Sequence, residues 1–166
     1  MSCPSPTAAK PADHFLASAG EDPRIAIAST SVSGIWIEVH DRMESAERLW
    51  RSFEESAGCT VFQRFDYLVA WQRHIGTRHR TRPLIAVIRG HGEEVLCMLP
   101  LALEQKKLRW LGQDHSYYCA PLLAGDFERR IDAVAFKALW NELCAALERE
   151  LADISDLTLP SASGLR

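Results

Sequence analysis

The chain has 166 residues, of which 47% are hydrophobic and 25% charged, with a net charge of −3 and a sequence pI near 6.1. That is enough apolar material for one domain with a real core, and the acidic balance argues against a nucleic-acid polymer or an anionic membrane surface as partner. No apolar stretch reaches the length of a membrane span, residues 1–34 lack the pattern of a secretory signal, and five widely spaced cysteines without a C-x-x-C pair point to reduced thiols in a cytoplasmic protein.

Residues 1–33 are rich in alanine, serine and proline, and Pro4, Pro6, Pro11 and Pro23 break any helix that the alanines favour. The segment reads as a mostly disordered leader, within which 24–28 alternates enough to add an edge strand. The domain itself is expected over 34–160, with a polar tail at 161–166. Residues 34–40 predict its first strand, with Ile35, Ile37 and Val39 on one face and Trp36, Glu38 and His40 on the other. Asp41 is the candidate N-cap of a helix over 43–56, whose apolar residues Met43, Ala46, Leu49, Trp50, Phe53 and Ala57 recur at helical spacing up to Gly58. A short extended link at 60–63 leads to a second helix over 64–75. Phe65, Leu68, Val69, Gln72 and Ile75 form its stripe, Trp71 its margin and Gly76 its stop.

The most basic stretch follows, with Arg78, His79, Arg80 and Arg82 inside 77–82. One reading is a phosphate or nucleic-acid contact. The other is a solvated loop between helix and strand, favoured by the acidic total and by the absence of a second basic or aromatic segment.

Several local signals then agree on a three-stranded antiparallel meander over 83–112. Residues 83–89 are short, apolar and β-rich, and the turn at 90–93 contains Gly90 and Gly92, which tolerate positive φ. The return strand at 94–103 is almost continuously apolar, which suits a strand covered on both faces. Pro100, with no amide donor, requires an edge, a bulge or a kink there. A polar link at 104–107 precedes a third strand at 108–111, which Gly112 stops.

Residues 113–121 gather polar, aromatic and titratable side chains in one irregular segment beside a rigid sheet, where chemistry tends to sit. Asp114 and His115 are candidates for an acid–base pair, and Tyr117 and Tyr118 for donating a proton or binding a sugar or acyl group. The plainer alternative is a loop whose tyrosines bury their rings and hydrogen-bond their tips. Cys119 has no flanking nucleophile motif. A long helix follows 127–130, with Ile131, Val134, Ala135, Ala138, Leu139, Ala146, Leu147 and Leu151 in its buried stripe, and 156–160 reads as a last short strand. The order β-α-α-β-β-β-α-β predicts an α/β (α+β) fold with a central, mixed, mostly antiparallel sheet flanked by helices.

Trp50 and Phe53, then 60–63 with Tyr67 and Trp71, then 86–89 with Gly92, 98–101, and Leu111 and Gly112 followed by Asp114, Tyr117 and Tyr118 carry a resemblance. As a spaced set over about 35–160 they resemble the N-terminal half of the CelD-type acetyltransferases, which are GNAT-like and distantly related to the FemAB aminoacyl transferases. The resemblance implies a GNAT-like fold, incomplete here, and a complete protein that uses acetyl-CoA or another acyl-CoA in exopolysaccharide or cellulose biosynthesis. It implies a second GNAT-like half or partner domain, and a polysaccharide-precursor or amine acceptor oriented by Asp114, His115, Tyr117 and Tyr118. GNAT enzymes hold the acyl-CoA pyrophosphate on a glycine-rich turn before a helix. Over 112–130 this chain has only Gly112 and Gly125, so no cofactor site is expected in the chain alone. A non-catalytic docking module or a truncated fragment is the alternative, its open sheet edge free to pair.

Overall fold

A computed structural model describes residues 22–151 and 154–162. Among them the chain forms strands β1 (Ile25–Ala28) and β2 (Trp36–His40), helices α1 (Met43–Glu54) and α2 (Phe65–Trp71), and strands β3 (Arg82–Arg89), β4 (Val95–Glu104) and β5 (Lys107–Trp110). A two-residue strand β6 (Leu122–Leu123), a single turn α3 (Phe127–Arg130) and the long helix α4 (Ala133–Glu150) complete it. The sheet runs β1-β2-β3-β4-β5 with β6 also on β4, and every ladder between these strands is antiparallel. The fold is mixed α+β on an antiparallel sheet.

Three elements depart from the expected order. The 24–28 island does form an edge strand, so the sheet begins ahead of Gly34, while residues 1–21 of the expected leader and 163–166 of the tail lie outside the described residues. The strand β6 was not anticipated, because two residues between Pro121 and Gly125 are too few to show a period. The expected strand at 156–160 is reduced to one parallel bridge, Lys107 to Asp156. There the Asp156 carboxylate accepts the Thr158 amide at 3.0 Å, turning the chain away before a ladder can extend.

Alternation along the central strands builds two cores. Leu84, Ala86 and Ile88 of β3 and Leu99, Leu101 and Leu103 of β4 face α4, which brings Leu139, Leu143, Ala146 and Leu147. Ile85, Val87, Met98 and Ala102 face α1 and α2, which bring Met43, Ala46, Trp50, Phe53, Phe65 and Leu68. The near-continuous apolar sequence of β4 is thus explained by cover on both sides. Val134 was expected in the buried stripe of α4 but is 79% exposed, since it lies on the far side of the helix from Leu139, Leu143 and Leu147, which meet the sheet.

Pro100 sits inside β4, paired with Ile85. Its carbonyl accepts the Leu111 amide at 2.9 Å, so its missing N–H also faces the β5 side, because a strand residue points both groups the same way. On that side β4 pairs with β5 at 101–104 and with β6 at 97–98. The proline therefore occupies the gap between two partners and costs no ladder bond.

The helix ends and turns also differ from expectation. Arg42 rather than Asp41 is the N-cap of α1, and Asp41 instead pairs with Arg24 at 3.0 Å, tying β1 to the end of β2. The expected extended link is a 3-10 turn, Val61–Gln63, and α2 continues as a π-helical turn, Gln72–Gly76. In the β3–β4 turn the positive φ belongs to Glu93 (64°), not to Gly90 or Gly92. The β4–β5 turn carries Gln105 at 49° and Lys106 at 69°, the left-handed pair that a tight hairpin of this twist demands. No described helix is long and apolar enough to cross a membrane.

Candidate functional site

The segment after β5 is held by three anchors. At its start Gly112 has φ 81°, and an added Cβ would lie 2.9 Å from Leu68 Cδ2 and 3.0 Å from Ser116 Oγ. Both the backbone angle and the close approach to α2 select glycine here. In the middle, the Tyr67 hydroxyl donates to the His115 carbonyl at 2.8 Å. At its end the Gln63 amide nitrogen donates to the carbonyls of Ala120 and Pro121, both at 3.2 Å. Gln63 is 3% exposed; its side-chain oxygen accepts the Thr60 amide at 2.9 Å, and its own carbonyl accepts from the Trp50 indole at 3.1 Å.

Between the first two anchors, Gln113–His115 forms a 3-10 turn at the rim of a recess. Trp71 at the end of α2, His79 and Thr81 from the following turn, Glu104 and Arg109 flank it, with Trp110, Gln113, Asp114 and His115 completing the wall. Its interior, about 20 Å³, holds about one water molecule. Four buried polar atoms at or beside this recess have no hydrogen-bond partner among the described residues: Trp71 Nε1, Gln72 Oε1, Thr81 Oγ1 and Gln113 Oε1. An unmade buried hydrogen bond costs about 1–3 kcal/mol, so the recess suits one small group, a water or a hydroxyl, that both donates and accepts. A π-helical turn and a left-handed arginine, Arg80 at φ 56°, border the same place. Both features concentrate at functional sites.

The structure brings together only part of the expected set. Asp114 and His115 both line the recess and are exposed, but they do not form the acid–base pair weighed from sequence. Asp114 Oδ1 lies 4.0 Å from Arg109 Nη1, and Arg109 Nε lies 3.3 Å from Glu104 Oε2, while the His115 ring lies 6.2 Å from that of Trp71. The reason is geometric: neighbours on a tight turn point in different directions. Tyr117 lies outside the recess, 74% exposed, its ring edge-on to Phe62 at 5.8 Å, and Phe62 is in turn edge-on to Tyr67 at 5.4 Å. It neither buries its ring nor lines the wall. Tyr118 is half-buried and likewise not in the wall. Cys119 is buried at 4% exposure, out of reach of a substrate. Trp71, Thr81, Gln113 and Gln63 were not singled out as site residues. Only the basic run around Thr81 marked that neighbourhood in the sequence.

Charges elsewhere serve structure. Glu38 is partly buried, which alone would raise its pKa, but His40 and Arg89 outweigh that and hold it below the ordinary carboxylate value; Arg89 Nε donates to it at 2.8 Å. Burial pushes the Cys97 thiol up, out of the range where it would ionise, and raises Cys144 to about 11. Among the described residues no group of His, Cys, Asp and Glu side chains is arranged to hold a metal ion. Comparisons with protein-family models, with curated proteins and with solved structures find no match to this chain.

Proposed function

We propose that this chain is the acceptor-side half of a CoA-dependent acyltransferase acting on a polysaccharide precursor or a related amine, with the acyl-CoA site supplied by a second GNAT-like half or partner domain. The observation that carries the reading is the recess after β5, where Asp114 and His115 stand at the rim above the unpartnered Trp71 Nε1, Thr81 Oγ1 and Gln113 Oε1. A single acceptor hydroxyl, about the size of the one water the recess holds, both donates and accepts and so pairs with part of this set without introducing charge. Topology is compatible with a GNAT-like half: β2 and two helices precede an antiparallel meander, with β1 added at the sheet edge, and the chain after α4 meets β5 in one parallel bridge at Asp156.

The chemistry asked of this half is positioning. An acceptor hydroxyl held near His115 would attack the thioester carbonyl directly, its proton passing to the imidazole as the C–O bond forms; the C–S bond would then break and CoA thiolate would leave, taking that proton as the thiol. Tyr117, braced by Phe62 and Tyr67, offers an aromatic surface to the apolar face of the acceptor, and Tyr118 stands beside it in the chain. The test is steady-state kinetics of the complete protein. His115→Ala and Asp114→Ala should lower kcat/KM for the acceptor by about tenfold or more while leaving the KM for acyl-CoA unchanged. Unchanged acceptor kinetics in both variants would remove this recess from the reaction. The alternative, a docking module without chemistry, is favoured only if the complete protein turns over without change when all four residues are replaced.

A further inference from the structure

Three of the unpartnered atoms at the recess come from segments distant in the chain, and each asks for a different half of a hydrogen bond. Trp71 Nε1, at the end of α2, only donates; Gln113 Oε1, after β5, only accepts; Thr81 Oγ1, just ahead of β3, does both. All three residues line the recess, whereas Gln72, which carries the fourth unpartnered atom, does not. Thr81 is 7% exposed and its backbone is fixed on both sides. Its amide donates to Gly76 O at 2.9 Å, and its carbonyl accepts from Gln72 Nε2 at 2.8 Å. Trp71 Cδ2 lies 4.0 Å from where a Cβ on Gly112 would stand, so the residue before Gln113 rests against that indole.

Size and charge together select the occupant. An interior of about 20 Å³ exceeds the roughly 10–15 Å³ that one water needs and leaves no room for a ring or a phosphate. Glu104 and Asp114 in the wall oppose an anion. The indole N–H opposes a metal cation, as does Arg109, whose Nε lies 3.3 Å from Glu104 Oε2 and whose Nη1 lies 4.0 Å from Asp114 Oδ1. What remains is a neutral molecule of one heavy atom that accepts from the indole and donates to the amide oxygen.

We infer that the recess binds one ordered water, which accepts from Trp71 Nε1, donates to Gln113 Oε1 and bonds Thr81 Oγ1, tying the end of α2 and the turn before β3 to the loop that carries Asp114 and His115. Three partners is the usual number for a buried water, and a water bridge is nearly as favourable as a direct hydrogen bond. The water is then a further anchor of the loop, acting on the side chain of Gln113 where the Tyr67 hydroxyl acts on the His115 carbonyl at 2.8 Å. This much stands without the acceptor reading. One consequence rests on that reading: an acceptor hydroxyl enters the recess by taking the water's place.

A crystal structure of the full chain that shows ordered waters, with water–protein NMR on tryptophan-labelled protein, tests it. One water should lie within about 3.2 Å of all three atoms. The Trp71 indole N–H, assigned by its loss in Trp71→Phe, should show water NOE and ROE signals of opposite sign, which marks a long-lived bound water rather than proton exchange. Thr81→Val keeps the shape and removes the hydroxyl. It should weaken that NOE about threefold or more and speed amide hydrogen exchange across 113–115 by a similar factor. Thr81→Ser, which retains the hydroxyl, should keep the NOE, and so separates loss of the bond from loss of the fold. A recess without water density, an indole without the NOE, or signals unchanged in Thr81→Val would each overturn the inference. Density that takes up rubidium on soaking would mark a cation and overturn the choice of water. The acceptor reading fails separately, in the kinetics of His115→Ala and Asp114→Ala, which do not require the water.

Discussion

Gln63→Leu should loosen the candidate site and destabilise the domain together. Leucine is close in size and fits an apolar surround, so the perturbation is the loss of hydrogen bonds rather than of volume. The glutamine side chain donates to Ala120 O and Pro121 O and accepts from Thr60 N at a position 3% exposed. At about 1 kcal/mol net for each bond, three bonds give a loss of about 3 kcal/mol. Leaving the buried Ala120 carbonyl without a partner pushes the cost upward, while access of water to the part-buried Pro121 carbonyl and Thr60 amide and the added apolar contact pull it down, so about 2–4 kcal/mol is the working range. For a domain of this length that is a fall in Tm of roughly 4–16 °C. Urea unfolding followed by tryptophan fluorescence reads it well, because Trp50 is fully buried and donates to the Gln63 carbonyl. Gln63→Glu, which keeps the acceptor and loses the donor to two carbonyls, should fall at least as far near neutral pH. A loss below about 1 kcal/mol for Gln63→Leu would mean that the bonds are exchanged for water, and that Gln63 does not hold the loop.

Two further outcomes follow from other parts of the fold. Glu142 Oε1 accepts from the amides and hydroxyls of Thr30 and Ser31 at 2.7–3.0 Å, clamping the β1–β2 loop onto α4. Partial burial works to raise its pKa, but the hydrogen bonds from Ser31, Thr30 and Ser29 together prevail and bring it from 4.5 to about 2. A lowered folded-state pKa stabilises above the unfolded value, so this contribution is complete above about pH 4.5 and is lost as pH falls toward 2. The acid limb of an unfolding profile should flatten in Glu142→Gln, and an unchanged limb would show that the clamp does not form in solution. Separately, replacing the left-handed pair Gln105 and Lys106 by Asn and Gly should raise stability by about 1 kcal/mol, since that dipeptide adopts both angles with little strain. Thermal unfolding measures this, and a decrease would mean that the Gln105 or Lys106 side chain contributes more than the turn strain costs.

Where a feature depends on residues close in the chain, the sequence by itself determined it. Met43, Ala46, Trp50 and Phe53 mark α1 because one helix face repeats every three to four residues, and the apolar run of 94–103 marks a strand covered twice because both alternating faces carry large side chains. The strand at 34–40 and the hairpin of β3 and β4 were legible for the same reason. The pairing of Pro100 with a gap between β5 and β6 was not, because only the neighbour on the far side decides whether a missing donor matters. Nor was the outcome at 156–160, where an aspartate turn overrides a β-like pattern.

The site divides along the same line. Asp114, His115, Tyr117 and Tyr118 stood out as chemically able residues crowded into one irregular segment, yet only the first two reach the recess. Their distribution is set by Gly112, by the Tyr67 hydroxyl and by Gln63, which anchor the segment from α2 and from the turn before it. Trp71, Thr81 and Gln113, between 71 and 113 in the chain, meet only because the end of α2, the start of β3 and the turn after β5 come together around the recess. Composition and periodicity show which side chains can do chemistry. Which of them share a buried wall, and which polar atoms there are left without partners, depends on contacts between segments distant in sequence, and these exist only once the sheet has assembled.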